Sequence, residues 1–274
     1  MQARAKRRSY RAPNRQLLKR RQGSVAEKSN PPYGFDLEST TVWSFPDRGR
    51  WATHEGGFRG NWAPQVIRNL IQRYSKQGDL VLDPMVGGGT TLIECAILGR
   101  RGIGLDINPK FVEACGKNLK SLKEETGISN VTVKVGDARR LSEFPSDSVD
   151  LVATHPPYAD IIKYSQGRIE GDLSNHHSIE VFCEELEKVG KELFRVLKPG
   201  KYCGLLIGDT RRRQMYIPMA FTVMQKFLNL GFRLKEDIVK VQHNCKMTPY
   251  WQYMSKKFNF LLIMHEHLFV FKKP

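Results

Sequence analysis

Asp83-Pro84-Met85-Val86-Gly87-Gly88-Gly89-Thr90-Thr91 is the stretch of this 274-residue chain that decides its fold. The apolar run that ends at Asp83 is typical of a buried strand, and a helical pattern begins at Thr90. Three glycines let the backbone approach a ligand closely, and the helix N-terminus behind them favours an anionic group such as a carboxylate. Leu92 occupies the third glycine position of a dinucleotide fingerprint, and no Gly-Lys-Ser/Thr follows as in a phosphate loop. The stretch therefore predicts a strand, a ligand-binding loop and a helix.

Strand and helix patterns alternate on both sides of this loop. Helices are predicted at residues 64–75, from Thr90, from Pro109, and at 179–197 and 218–230, and strands at 80–83, 102–106, 131–135, 149–153 and 202–207. Such alternation is typical of a parallel sheet that helices cover on both faces. Residues 232–241 and 258–271 are predicted to be two further strands with no long helix between them. We therefore expect an α/β fold: a doubly wound, mostly parallel, seven-stranded sheet with an antiparallel edge strand.

The formal net charge of the chain is +16, and residues 1–22 carry nine Lys or Arg and no acidic residue. Proteins that bind phosphates need such basic residues to displace condensed counterions, so the charge indicates a nucleic-acid partner. The basic start is interpreted as a solvated arm, a direct nucleic-acid contact or an organelle transit peptide. Turn residues at Ser29-Asn30-Pro31-Pro32 divide the chain into a basic, disordered tail (1–30) and one catalytic domain (31–274).

The location and metal content of the protein follow from its apolar runs and its cysteines. No apolar run approaches the ~20 residues that a bilayer span needs, so we expect no membrane partner. The five cysteines are widely spaced and form no Cys-x-x-Cys pair, which indicates a reducing compartment, the cytoplasm, and no zinc. His265-Glu266-His267 is expected to be structural rather than a metal site, because its residues alternate along a closing strand.

Two further acidic residues follow strands of the predicted sheet. Asp106 ends the strand after the glycine loop, about 20 residues on, where doubly wound nucleoside sites place the carboxylate that receives ribose hydroxyls. Asp137 follows the next strand and either accepts from an adenine amino group or caps a helix. Together with the loop, these carboxylates predict a nucleoside-containing ligand.

A second motif, Thr154-His155-Pro156-Pro157-Tyr158, comes directly after the strand at 149–153. Two prolines stiffen this loop and leave their carbonyls without ladder partners, and Tyr158 offers a flat face on which a base can stack. An ordinary rigid turn would have the same composition. Its place at the carboxyl end of the sheet, where doubly wound folds bind ligands, favours a site.

On these two motifs the chain resembles the amino-methylating DNA methyltransferases, which modify adenine N6 or cytosine N4. Asp83 to Thr91 is similar to their cofactor loop, and His155 to Tyr158 to their Asp/Asn/Ser-Pro-Pro-Tyr tetrapeptide, with His at the first position. Gly60-Asn61-Trp62-Ala63-Pro64 resembles the segment that covers the methionine end of the cofactor. The resemblance spans roughly residues 50–274 and implies a Rossmann-like methyltransferase fold, S-adenosyl-L-methionine as cofactor and double-stranded DNA, with the target base flipped, as partner.

The resemblance also implies roles for individual residues. The catalytic residues are expected to be His155, Pro156, Pro157 and Tyr158, and the cofactor-binding residues Asn61, Trp62, Asp83, Met85, Gly87, Gly89, Thr90, Thr91, Asp106, Ile107, Asp137 and Ala138. The His155 side chain and the Pro156 carbonyl would accept hydrogen bonds from the target amine while Tyr158 stacks on the ring. No metal and no covalent intermediate are expected.

The target and its recognition remain open at the level of sequence. Thr154 makes the tetrapeptide resemble that of cytosine enzymes, which favours cytosine N4 over adenine N6, as in restriction–modification methylation. Recognition is expected late in the chain, at residues 164–177 or 244–257, where the second segment combines aromatic and basic side chains. The alternatives are an RNA guanine amino-methyltransferase and a catalytically inactive nucleic-acid-binding protein of the same fold.

Overall fold

The computed structural model describes residues 34–54, 61–158, 164–165, 167–245 and 247–274. The basic tail predicted at 1–30 lies outside the described residues, so its boundary and its role stay predictions. The elements of the described ranges follow one another as β1 (Val42–Trp43), α1 (Pro64–Tyr74), β2 (Leu80–Asp83), α2 (Thr90–Ile97), β3 (Arg101–Asp106), α3 (Pro109–Thr126), β4 (Val131–Val135), β5 (Val149–Thr154), a 3₁₀ turn (Leu173–Asn175), α4 (Ile179–Val196), β6 (Leu197–Ile207), β7 (Thr210–Arg212), β8 (Met215–Ile217), α5 (Met219–Asn229), β9 (Arg233–Val241), α6 (Thr248–Phe258) and β10 (His265–Lys272).

The main sheet has the strand order β1-β9-β10-β6-β5-β2-β3-β4. Strands β6, β5, β2, β3 and β4 run parallel, and β10 runs antiparallel to both of its neighbours. The prediction of a doubly wound, mostly parallel α/β sheet is confirmed. Two details differ: the two-residue strand β1 makes the sheet eight-stranded, and the antiparallel strand β10 lies between β9 and β6 instead of forming the outermost strand.

Helices cover both faces of this sheet, and each face has its own buried cluster. On one face Phe182 of α4 and Phe227 of α5 pack with Phe271 of β10, and on the other α1 buries Ile67 and Leu70. Gly204 in β6 allows α1 to lie close, because a Cβ there would come 2.4 Å from Leu70 Cδ2. The two apolar faces stabilise the sheet whose carboxyl ends carry the predicted motifs.

The last third of the chain differs from its prediction. Helix α6 (Thr248–Phe258) lies between β9 and β10, where the sequence predicted no long helix and a strand from Phe258. None of its residues is buried, so its aromatic side chains do not finish a core as those of a strand would. A short hairpin, β7–β8, also precedes α5, and Arg213 and Gln214 at its turn both have positive φ. The hairpin follows β6 and helix α6 follows β9, so both elements lie at the edge of the sheet that carries the second motif.

Glu94 ties the segment before α1 to the glycine-loop helix. Its fully buried carboxylate accepts hydrogen bonds from Trp51 Nε1 at 2.6 Å and Arg68 Nη1 at 2.8 Å, and His54 Nε2 lies 2.7 Å away. Removing one partner of such a buried network leaves an uncompensated charge, which typically costs ~3–5 kcal/mol.

Across the ranges that the structure covers, no helix is both long and apolar enough to span a bilayer.

Candidate active site

The glycine loop is held between β2, β3 and the segment before α1. Gly87 N–H donates to Asp106 Oδ2 at 3.0 Å, and Gly88 N–H donates to Asn61 Oδ1 at 3.3 Å. Gly87 and Gly89 have φ of 51° and 90°, values that favour glycine. A Cβ on Gly88 would lie 2.7 Å from Asn61 Nδ2, so a larger residue there would displace the Asn61 side chain. The loop therefore brings Asn61 and Asp106 together although they are far apart in the sequence.

Asp83 lies behind this loop and does not face the cavity. Its carboxylate accepts from the Met85 N–H at 3.2 Å and from the Thr91 hydroxyl at 2.5 Å. Burial raises the pKa of Asp83 to about 7, against the effect of these hydrogen bonds. Gly89, Thr90 and Thr91 also lie outside the cavity lining. These four predicted cofactor residues therefore shape the loop from behind, while Met85 and Gly87 face the cavity.

Asp106 lies at the cavity wall with both carboxylate oxygens in contact with backbone. Oδ1 accepts from Asn108 N–H at 2.9 Å, and Oδ2 accepts from Gly87 N–H. Burial is the main cause that raises the pKa of Asp106 to about 6, and no cation contacts it among the described residues. Because each oxygen keeps a second lone pair, the carboxylate can still accept two hydroxyl groups of a ligand. Ile107 beside it also lines the cavity.

The Asp137 carboxylate is paired with Arg139, a residue two positions further along the chain. Arg139 donates to it from its backbone N–H at 2.9 Å, from Nε at 3.0 Å and from Nη2 at 2.7 Å, and also donates to Glu185 at 2.6 Å. Burial alone would raise the pKa of Asp137, but the hydrogen bonds from Arg139 lower it. Asp137 and Ala138 line the cavity, yet the side chain caps the turn to Arg139 rather than a helix.

Asp172 is a cavity residue that the sequence analysis missed. Its Oδ1 accepts from Ser174 N–H at 2.9 Å, whereas Oδ2 is buried with no hydrogen-bond partner among the described residues. An unsatisfied buried carboxylate oxygen is costly unless a ligand donates to it. The sequence signal was the Asp-x-Ser capping pattern within residues 164–177, a segment that we had assigned to recognition. Tyr164 from the same segment also lines the cavity, 5.6 Å from the Phe111 ring.

The second motif forms the opposite wall. His155, Pro156, Pro157 and Tyr158 follow β5 directly, and all four line the cavity. The ring of Trp62 lies 6.0 Å from the ring of His155, and Trp62 also faces the cavity. The two predicted motifs and the segment at residues 61–62 thus surround one space of about 540 Å³, a volume typical of small-molecule sites.

Glu266 joins the catalytic loop from β10. Its Oε1 accepts from the Tyr158 hydroxyl at 2.6 Å, and Lys240 Nζ donates to its Oε2 at 2.8 Å. Burial would raise the pKa of Glu266, but Lys240, His155 and the bond from Tyr158 together lower it, so the side chain is a carboxylate. Burial and this carboxylate raise the pKa of Tyr158 well above its ordinary value.

These contacts fix the direction of a chain of hydrogen bonds. Because Glu266 is ionised and can only accept, the single proton of Tyr158 Oη is donated to it. His155 Nε2 lies 2.9 Å from Tyr158 Oη and must therefore donate. A neutral His155 ring then has its lone pair on Nδ1, so Nδ1 is the atom that could accept from a target amine. Sequence reasoning treated Glu266 as part of a structural strand and missed this role.

The donor set of the cavity is made of carboxylates, aromatic rings and backbone groups. Over the ranges that the structure describes, no group of three or more His, Cys, Asp or Glu side chains could hold a metal ion. Within the described part of the chain, the buried Asp172 Oδ2 and the Asp106 carboxylate are acceptors without cationic partners, and the lining beside them is apolar at Ile107 and Leu173. This arrangement fits a cationic nucleoside with ribose hydroxyls and a flat base.

Comparison with known proteins agrees with this geometry. The family model described as "DNA methylase" matches residues 3–117 and 149–274, and the chain belongs to this family. A second model, described as "RMKL-like, methyltransferase domain", matches residues 70–171. The family resemblance predicted from the two motifs is therefore confirmed, and the matched region reaches further toward the start of the chain than residue 50.

This chain aligns with only part of the length of each relative. The chain is 40% identical over 96 residues to a tRNA (guanine(10)-N2)-dimethyltransferase of Pyrococcus abyssi, which is 35% of this chain and 28% of that enzyme. It is 33% identical over 123 residues to the Type II methyltransferase M.HpaI of Haemophilus parainfluenzae, 44% of this chain and 34% of that enzyme. The chain thus aligns with about a third of the length of these relatives.

A solved structure supports the fold. An S-adenosylmethionine-dependent methyltransferase from Methanosarcina mazei superposes with a TM-score of 0.52 at 18% identity, over 74% of this chain and 96% of that chain. The likeness shows the Rossmann-like methyltransferase fold. Together with the family membership, it confirms S-adenosyl-L-methionine as the predicted cofactor.

Proposed function

We propose that this protein transfers a methyl group from S-adenosyl-L-methionine to the exocyclic amino group of a base in DNA, with cytosine N4 favoured over adenine N6. The observation that carries the proposal is that the glycine loop and the His155-Pro156-Pro157-Tyr158 loop line one cavity. The DNA methylase family, which accounts for most of the chain, supports DNA as the substrate. Thr154 before the tetrapeptide supports cytosine.

Several residues of this chain would hold the cofactor. The Asp106 carboxylate accepts the ribose hydroxyls, Asp172 Oδ2 accepts a further donor of the nucleoside, and Asn61 and Trp62 cover the methionine end. When bound, the cofactor would supply a methyl group on a positively charged sulfur: the N–C bond would form as the C–S bond breaks, the sulfur would leave as a neutral thioether, and the proton of the amine would pass to solvent. The raised pKa of Asp106 reflects a buried charge that a cationic ligand stabilises.

The catalytic loop would hold the target base. Tyr158 stacks on the ring, and its hydroxyl is fixed by Glu266, so the stacking face keeps one orientation. His155 Nδ1 and the Pro156 carbonyl accept the amine hydrogens, which turns the nitrogen lone pair toward the methyl group. The base has to leave the duplex to enter this cavity. Most of the rate enhancement would then come from positioning.

A second candidate function is methylation of a guanine amino group in RNA. It is favoured by the 40% identity, over 96 residues, to the tRNA (guanine(10)-N2)-dimethyltransferase of Pyrococcus abyssi. The same acceptors would serve guanine N2, because it too is an exocyclic amine. The basic charge of the chain suits either nucleic acid.

Incubation with labelled cofactor and matched DNA and RNA substrates tests the proposal, with mass spectrometry of the nucleosides as the readout. N4-methylcytosine or N6-methyladenine from DNA supports it, and N2-methylguanine from RNA establishes the second candidate instead. Cofactor binding without any methylated nucleoside would identify an inactive nucleic-acid-binding protein. His155→Ala should abolish transfer and retain cofactor binding, while His155→Asn, which keeps an acceptor, should retain part of the rate.

A further inference from the structure

A second cavity of about 680 Å³ opens beside the proposed active site. The β7–β8 hairpin forms one wall, α6 forms the other, and residues 260–264 lie between them. Asp209, Gln242, Cys245 and Ile263 line both cavities. The second cavity, here called the flanking groove, therefore borders the space that holds the target base in the proposed function.

The flanking groove combines aromatic and basic side chains. Trp251 of α6 is 46% exposed and Phe258 is 38% exposed, although both line the groove. The Arg211 guanidinium lies 5.6 Å from the Phe260 ring, and its Nε donates to the Leu261 carbonyl at 2.9 Å. This hydrogen bond fixes the cation on the groove wall. Exposed aromatic faces beside fixed cations suit an unstacked nucleotide, because the base stacks and the phosphate pairs with the cation.

The acidic side chain of the groove does not cancel this charge. Asp209 is the one carboxylate among the described lining residues, and its oxygens already accept from the Ala220 N–H at 2.7 Å and from the Tyr216 hydroxyl. Arg213 at the hairpin turn is exposed and lines the groove as well. The groove therefore carries net positive charge, which favours a phosphate-bearing strand over an apolar helix of a second protein.

We propose that the flanking groove binds the nucleotide next to the target base on the same DNA strand. Its base stacks on Trp251, and its phosphate lies near Arg211 and Arg213. The inference rests on the proposed function, because flipping a base out of the duplex unstacks its neighbour and leaves that neighbour in need of a partner. The groove would then hold the base beside the target whatever its identity, which gives α6 a role in binding the strand.

Trp251→Ala tests the stacking contact, with Tyr253→Ala as the matched control. Tyr253 lies on the same helix and is 64% exposed, but it does not line the groove. Loss of one base stack predicts that the KM for DNA rises by roughly 5- to 150-fold in Trp251→Ala, with unchanged cofactor affinity and an unchanged KM in Tyr253→Ala. Equal KM values for the two variants would overturn the proposal that a base stacks on Trp251 in the flanking groove.

Arg213→Gln tests the phosphate contact, with Arg212→Gln as the control. Arg212 lies next to it in the hairpin, lines no part of the groove and donates to the His177 carbonyl at 2.6 Å. We expect Arg213→Gln to reduce the salt dependence of DNA binding by about one phosphate contact and Arg212→Gln to leave it unchanged. Equal salt slopes in both variants would contradict the assignment of the phosphate.

Tryptophan fluorescence separates this proposal from the proposed function, because it requires no methyl transfer. Trp43, Trp51 and Trp62 are at most 6% exposed, so Trp251 is the tryptophan that a bound base can stack on outside the active-site cavity. A single-stranded DNA oligonucleotide should quench the fluorescence of the full chain with saturating cofactor present, and Trp251→Phe should lose that quenching. Undiminished quenching in Trp251→Phe would refute the proposal that the flanking groove binds this nucleotide, even if the enzyme methylates DNA. Quenching by RNA alone would overturn the commitment to DNA.

Discussion

Glu266→Gln should slow methylation by disordering the catalytic loop. The carboxylate accepts from Tyr158 Oη at 2.6 Å and from Lys240 Nζ at 2.8 Å. A hydrogen bond to a charged group contributes ~1.5–3 kcal/mol, and ~1.4 kcal/mol corresponds to a factor of ten. Gln has a single acceptor oxygen, and if Lys240 Nζ donates to that oxygen, the amide NH₂ faces Tyr158 Oη and cannot accept from it. If the Tyr158 contact holds the stacking ring in place, loss of the acceptor predicts a rate decrease of about 10- to 140-fold.

Single-turnover methylation at saturating cofactor measures this rate, and calorimetry measures cofactor affinity. Cofactor affinity should change far less than the rate, because Glu266 contacts the catalytic loop rather than the glycine loop. Glu143→Gln is the matched control: Glu143 pairs with Lys134, both side chains are 45% exposed, and such surface pairs contribute at most ~1 kcal/mol. Denaturant titration of both variants shows whether the chain is still folded.

A double-mutant cycle with Tyr158→Phe isolates the contact. If Glu266 acts through the Tyr158 hydroxyl, the double variant should be no slower than the slower single variant, because the second change removes a bond that is already lost. Fully additive effects, or an unchanged rate in Glu266→Gln, would refute the reasoning. Glu266 would then stabilise β10 and have no positioning role.

Three further predictions concern the cofactor loop and the tail. Asp106→Ala should weaken cofactor binding at least tenfold in calorimetry, because a charged acceptor of two hydroxyls is lost. The cofactor affinity of the wild-type protein should also fall as pH drops below about 6, because burial raises the pKa of Asp106 to that value. Asp83 holds its proton more tightly in the folded chain, so its contribution to stability is complete below its unfolded pKa of 3.8 and is lost as pH rises toward about 7. The free energy of unfolding of the cofactor-free protein should therefore fall by about 4 kcal/mol at most between pH 4 and 7. Asp83→Asn should abolish this fall, which denaturant titration measures. Deleting residues 1–22 should leave cofactor binding intact and lower the salt dependence of DNA binding, and an unaltered slope would make the tail a bystander.

The parts of the fold that were predictable from the sequence depend on local patterns. The glycine loop, the strands beside it and the Pro-Pro-Tyr loop are each set by residues close together in the chain, and the structure has them at the predicted positions. Helix α6 was not predicted, because the aromatic and basic residues of 244–257 were interpreted as a recognition segment between two strands; the structure forms a helix there and leaves its aromatic side chains on the surface.

The site residues that were missed depend on contacts between distant parts of the chain. Glu266 lies 108 residues after Tyr158, and no local pattern indicates that pairing. A signal was nevertheless present: Glu266 is an acidic residue close to the apolar run 268–271 of strand β10, and a carboxylate is rarely buried at such a position without a partner. Asp172 was hidden in the same way, within a segment that the sequence analysis had assigned to recognition.

His155 and Glu266 should depend on one another, since the carboxylate decides which nitrogen of His155 carries the proton. With Glu266 ionised, Tyr158 donates to it and His155 Nε2 donates to Tyr158, so the lone pair of the neutral ring lies on Nδ1, the atom proposed to accept from the amine. Without the carboxylate, Tyr158 is free to donate to Nε2, and the proton moves to Nδ1. Asn has no tautomer to fix, so we expect Glu266→Gln to slow methylation several-fold less in the His155→Asn background than in the wild type. Equal rate losses in the two backgrounds would show that Glu266 positions Tyr158 alone.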